Sequence, residues 1–192
     1  EEVKLLSSHL KDQIPPVAME IYEKNQVYNN YIHMLHILIE RYNHPLSTIV
    51  EYERPIFQKH IDHVDELLER GITELSWESE GTKEFIDGAV AEVSQFSDLH
   101  NKSTSNIATI KHTIEGWKQP ALFRRVDAKK SLDAAEVNNT LNARIATITQ
   151  QSQEITELVN SSVSSLTDDP QSPESQQYLD YITSIICEGL KE

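Results

Sequence analysis

The chain has one cysteine, five glycines and seven prolines in 192 residues, and no long apolar run. Each scarcity excludes something. A single thiol, Cys187, cannot close an internal disulfide, and it fits a reducing compartment. Glycine and proline, confined to a few points, favour long uninterrupted helices over a turn-rich β fold. No stretch approaches the roughly 20 apolar residues that a bilayer span needs, and no signal peptide is expected. No GxxxxGK[ST] phosphate loop exists and the glycines stand alone, so no nucleotide is expected to bind. Positive charge is short as well: 17 Lys+Arg against 31 Asp+Glu gives 17 − 31 = −14. Phosphate backbones and anionic lipid repel such a surface, which argues against nucleic acid and membrane as partners.

What is present is helical period. The opening Glu1-Glu2-Val3 reads as mid-helix, so a fragment of a longer protein is expected. Residues 1–13 read as the end of one helix, stopped by Pro15-Pro16, because proline disfavours helix in the residue before it. Residues 17–43 carry Ile21, Val27 or Tyr28, Tyr31, Leu35, Leu38 and Tyr42 at steps of three and four, which places them on one face. Pro45 is expected to end or kink that helix. Residues 46–70 continue with Ile49, Tyr52, Ile56, Ile61 or His60, Val64 and Leu67 or Leu68, with a kink or a new start at Pro55. Gly71 reads as a left-handed stop. Ile72, Leu75 and Trp77 then form a connector too apolar for a free loop, so it is expected to be packed.

Residues 81–117 form the longest segment, roughly 55 Å at about 1.5 Å per residue. Its apolar ends flank a polar middle from Ser97 to Asn106, and Gly116 and Pro120 close it. Residues 131–166 carry Val137, Leu141, Ile145, Ile148, Ser152, Ile155, Val159, Ser162 and Leu166, a narrow seam near coiled-coil spacing. Thr167 to Pro173 is a polar breaker. Residues 174–190 close the chain with Tyr178, Tyr181, Ile182, Ile185 and Ile186, and with Cys187 on the apolar side as a buried thiol. No segment alternates long enough to build a sheet. The fold class is all-α, an elongated antiparallel helical bundle or bundles with long helices and short Pro/Gly breaks. The division expected is 1–77, a first bundle segment with its connector, and 78–192, a second.

Chemistry is sparse. His33 with His36, and His60 with His63, sit three apart, but the HExxH pattern of helical zinc sites is absent, and a solvated or partly packed face explains them. The carboxylates Glu66, Glu69, Glu74, Glu78 and Glu80 read as a solvated face, not a general acid–base pair. Three Asn-X-Ser/Thr triplets, at Asn101, Asn138 and Asn160, fall in predicted helices and are discounted. No catalytic residue, cofactor-binding residue or metal ligand is assigned. The large rings at breaks, Trp77, Trp117 and Phe123, can bridge two bundles or a partner. Arg124 and Arg125 can dock an acidic partner or neutralise nearby carboxylates and helix ends.

Ordered motifs carry a resemblance. They are Ile39-Glu-Arg-Tyr-Asn43, Tyr52-Glu-Arg-Pro-Ile-Phe57, Val64-Asp-Glu-Leu-Leu68, Gly71-Ile-Thr-Glu-Leu-Ser-Trp77 and Ser79-Glu-Gly-Thr-Lys-Glu-Phe-Ile86. Further on come Pro120-Ala-Leu-Phe-Arg-Arg125, Glu154-Ile-Thr-Glu-Leu-Val159 and the run from Asp169-Pro to Tyr178-Leu-Asp-Tyr-Ile182. Together they resemble the N-terminal tail of dynein heavy chains, axonemal more than cytoplasmic, over about residues 20–190. Ser175 departs from the pattern, where many relatives place Trp. The resemblance implies family-motif roles for Tyr42, Asn43, Pro55, Gly71, Leu75, Trp77, Phe85, Ile86, Tyr178 and Tyr181. It makes Phe123, Arg124 and Arg125 candidate partner contacts.

What the resemblance implies is a non-catalytic tail segment lying before the linker and ATPase ring. Such tails bind intermediate chains, light chains and neighbouring heavy chains. They attach the motor indirectly to microtubules of a cilium or flagellum, in the cytoplasm and cytoskeleton. Net charge independently argues against direct binding to the acidic microtubule face. The alternative is a generic helical interaction module of a cytoskeletal or tethering complex.

Overall fold

In a computed structural model, described over residues 14–77, 79–118 and 134–191, every regular element is a helix. In chain order they are α1 (Pro16–Thr48), α2 (Arg54–Glu74), α3 (Thr82–Trp117), α4 (Ala134–Leu166) and α5 (Pro173–Lys191). The predicted helix over residues 1–13 lies outside the described residues. Two compact units are present: Glu1–Thr48 with His60–Ser97, and Ile49–Lys59 with Asp98–Glu192.

In the first unit, the contacts fix helix direction. Arg41 donates to the Ser94 hydroxyl at 2.8 Å, and the Tyr42 ring lies 5.8 Å from that of Phe96. Residue numbers rise together, so α1 and α3 run parallel. Against α2 they run opposite: Tyr42 meets Asp65, His63 lies 3.6 Å from Glu92, and Gly71 faces Phe85. The core is Leu38, Tyr42 and Pro45 of α1, Ile61 and Val64 of α2, and Ile86, Ala89, Val93 and Phe96 of α3.

In the second unit, Ser103 bonds Tyr178 at 2.7 Å and Ile114 lies against Gly189, so α3 and α5 run parallel. α4 runs opposite to α3. Asn106 donates to Ser162 at 2.7 Å, Lys102 to Ser165 at 2.8 Å, and the Trp117 indole to Gln151 at 2.6 Å. The first turn of α2 adds Ile56 and Phe57 to this core, with Phe57 edge-on to His100.

Breaks differ from the sequence expectation at two residues. Pro45 does not end α1; it is buried inside a helix that runs on to Thr48. The loss of its backbone donor falls near the helix end, where hydroxyls serve the last carbonyls. Ser47 donates to the His44 carbonyl at 2.8 Å, and Thr48 donates to the same carbonyl at 2.9 Å. Gly71 is not a stop, because α2 continues to Glu74. A Cβ at Gly71 would run into the ring of Phe85, so glycine serves close approach. The left-handed residue is Gly81, at φ +93°, whose carbonyl accepts the Phe85 amide at 2.9 Å.

Pro55 sits in the first turn of α2, the place where a missing donor costs nothing. The polar breaker before α5 is a cap. Ser172 accepts the Ser175 amide at 3.1 Å, Pro173 takes the first helical position, and the Ser175 hydroxyl donates to the Asp169 carbonyl at 2.9 Å. Ser175 is thereby buried and bonded. Gly116 lies inside α3, and its carbonyl and that of Trp117 accept Arg144 at 3.0 and 3.2 Å, a cation at a helix C-terminus. Pro120 lies outside the described residues.

The polar middle of α3 does not interrupt its buried face. Thr82, Ile86, Ala89, Val93, Phe96, His100, Ser103, Ile107, Ile110 and Ile114 are all buried, at gaps alternating between four and three. That is coiled-coil spacing along one helix face. α4 carries the same spacing but is buried only toward its C-terminal end. Ile155, Ser162, Val163 and Leu166 are covered, whereas Leu141 and Ile145 are 38% and 61% exposed. Cys187 is exposed and free, on the solvent side of α5, so the buried-thiol expectation fails.

Candidate functional site

The connector between α2 and α3 is the most constructed corner of the first unit. Two serines and a threonine tie it. The Ser79 hydroxyl accepts the Ser76 amide at 2.9 Å. The Thr82 hydroxyl lies 2.9 Å from both the Ser76 and the Ser79 carbonyls. This clamp presents Trp77 edge-on to Tyr28 of α1, with ring centroids 6.3 Å apart. Below it Gly71, Leu75, Phe85, Ile86 and Leu35 line a pocket of about 260 Å³.

The expectation of a wholly packed connector holds only in part. Ile72 belongs to α2 and is 83% exposed, and Trp77 is 48% exposed. Periodicity could not show this, since the helix runs four residues further than Gly71 suggests and turns Ile72 to solvent.

The family-motif residues divide between places. Gly71, Leu75, Trp77, Phe85 and Ile86 converge on this one pocket. Tyr42 is buried in the same unit, its hydroxyl 2.5 Å from Asp65; burial, then that hydrogen bond, then the Asp65 and Asp62 charges hold its pKa well above the tyrosine range. Asn43 is exposed on α1. Pro55, Tyr178 and Tyr181 belong to the second unit. There the Tyr181 ring stacks 5.8 Å from Tyr52, while burial pushes the Tyr178 hydroxyl up in pKa. Phe123, Arg124 and Arg125 lie outside the described residues.

A second polar cluster has no counterpart in the sequence reading. Glu53 is buried just before α2, where its carboxylate accepts the Val50 amide at 3.3 Å. Burial raises its pKa, opposed by the Val50 amide, the Lys111 charge and Ser103. His100 and Ser103 could have been found from their phase with Phe96 and Ile107.

The histidines and carboxylates of the sequence reading do not assemble. His33 and His36 are exposed, as are Glu66, Glu69, Glu74 and Glu80, and Glu78 lies outside the described residues. Among the described residues no three His, Cys, Asp or Glu side chains converge as a metal site, and no helix is long and apolar enough to cross a membrane. Helix faces pinned by hydroxyl, amide and ring contacts define an all-helical packing segment.

Comparison with known proteins shows what the chain is similar to. Residues 1–85 match the family described as "Dynein heavy chain, N-terminal region 1". Relatives align over nearly the whole chain. "Dynein beta chain, ciliary" of Tripneustes gratilla is 26% identical over 190 residues, 98% of this chain. "Dynein beta chain, flagellar outer arm" of Chlamydomonas reinhardtii is 25% identical over 192 residues, again 98%. "Dynein axonemal heavy chain 17" of Mus musculus is 24% identical over 191 residues, 97% of the chain. The chain spans about 4% of the length of each of these relatives. Over residues 1–85 it is similar to the dynein heavy chain N-terminal region, and over nearly its whole length to axonemal and ciliary dynein heavy chains.

Proposed function

We propose that this chain is a non-catalytic scaffold segment in the tail of an axonemal dynein heavy chain. Through it the motor assembles with intermediate chains, light chains or neighbouring heavy chains, and is held indirectly on the microtubules of a cilium or flagellum. The observation that carries this reading is the convergence of Gly71, Leu75, Trp77, Phe85 and Ile86 on one apolar corner. The residues that make the chain resemble a dynein tail are here residues of packing and surface shape. Relatives named as ciliary and flagellar beta chains support the setting.

The physical basis is a set of long helices held in register. α3 has 36 residues, about 54 Å of helix, with its buried face at alternating three and four spacing throughout. Hydrogen bonds fix its register against α1 at Ser94 and against α4 at Asn106 and Lys102. Within each unit such contacts hold surface residues at fixed positions.

The test is Gly71→Leu in the full-length heavy chain. Its side chain must displace the Phe85 ring and deform the corner. Expected is a loss of the heavy chain, with its intermediate chains, from isolated axonemes, measured by quantitative mass spectrometry. Retention at the parental level would overturn the scaffold reading.

A further inference from the structure

Beside the apolar pocket lies a wider hollow of about 660 Å³ in the same unit, and the two share Trp77 and Thr82. Rings of Tyr28, Tyr31 and Trp77 line it, together with the carboxylates of Glu20, Glu23 and Glu84. Its two ammonium groups are engaged by carboxylates: Lys24 pairs with Glu20 at 3.1 Å and Lys83 with Asp87 at 2.8 Å. Lys83 also feels the charge of Glu84, and among the described residues Glu23 is in no ion pair. Three lining carboxylates against two lysines leave excess negative charge beside aromatic faces, an environment that favours a cation.

The neighbouring pocket selects differently. At about 260 Å³ it is smaller than the roughly 300 Å³ at which small-molecule sites begin, so it suits a single apolar side chain. Around both, Val27, Ile72 and Trp77 present apolar surface at 45%, 83% and 48% exposure. The connector is already braced by its serine and threonine bonds, so little ordering is needed on binding.

We propose that this corner docks a basic amphipathic segment of a partner protein. One large apolar side chain enters the Gly71–Phe85 pocket, and an arginine or lysine lies against Trp77 with the carboxylates of Glu23 and Glu84. Charge decides the occupant. A second copy of this chain carries the same −14 and is repelled, as are nucleic acid and acidic peptides. The inference rests on the scaffold reading and adds the chemistry of the partner.

The test places photoreactive p-benzoylphenylalanine at Val27, and separately at Ile72, in the full-length heavy chain within its native complex. Expected is a cross-linked peptide from another protein that carries Lys or Arg within one helical turn of Leu, Ile or Phe. The surface double variant E23Q/E84Q is expected to lower the yield about tenfold, from two charge contacts. The inference is overturned by cross-links to acidic or uncharged segments, to a second copy, or to no partner. A yield unchanged in E23Q/E84Q overturns it too. If it falls while Gly71→Leu still removes the protein from axonemes, the scaffold reading stands; if Gly71→Leu is retained, that reading falls on its own.

Discussion

Gly71→Ala separates two opposing effects at one atom. In an isolated helix, alanine in place of glycine is favourable by about 0.8–1.0 kcal/mol. Gly71 is helical, so that gain applies. The added Cβ, however, meets the end of the Phe85 ring, and Phe85 is half-buried on the first turns of α3. The ring must swing outward or the helices must part. Overpacking of this kind costs about 1–3 kcal/mol. The net expectation is a destabilisation of about 1 kcal/mol, which lowers Tm by about 2–4 °C in a chain of this size. In a Phe85→Ala background the obstruction is gone, so Gly71→Ala should then stabilise by up to about 1 kcal/mol. Urea denaturation followed by helix circular dichroism, over the four chains of the double-mutant cycle, reads the coupling directly. Gly71→Ala that stabilises the parent chain, or effects that simply add, would show that the Phe85 ring does not occupy that space.

Three further outcomes are expected. Tyr178→Phe removes the buried bond to Ser103 and should cost about 1–3 kcal/mol by denaturant titration, whereas loss within error would mean water serves Ser103 equally well. Ser172→Ala removes the α5 cap and should cost about 1 kcal/mol, with amide exchange accelerated first at residues 174–176; unchanged exchange there would exclude the cap. Glu53 has a folded pKa raised by burial, so the folded chain binds its proton more tightly than the unfolded chain. Its contribution is present below the ordinary carboxylate range and is lost as pH climbs through the raised value. The parent chain should therefore lose stability relative to Glu53→Gln as pH rises out of the ordinary carboxylate range, and a flat or opposite difference would contradict the burial.

The helical class was legible because it follows from scarcity of glycine and proline and from spacing, which are properties of the chain alone. The breaks were less so. Pro45 and Gly71 carry local signals for a stop, yet packing overrides both, through hydroxyl caps after Pro45 and ring contact at Gly71. Polarity misled at His100 and Ser103, where phase was the better guide to burial. Spacing misled at α4, since a seam says which face can pack and not what covers it. Gly71, Trp77 and Phe85 stood out through family pattern. The roles of Tyr28, Glu23 and Glu84 did not, because they depend on α1 and α3 lying side by side, nearly 60 residues apart along the chain.

The most direct test of the whole account is a density map, at side-chain resolution, of this segment inside its native assembly. The account predicts the Phe85 ring over Gly71, Trp77 edge-on to Tyr28, and another protein's chain seated on that corner. Bare solvent over Trp77 in that assembly, or α1 and α3 running in opposite directions, would contradict it.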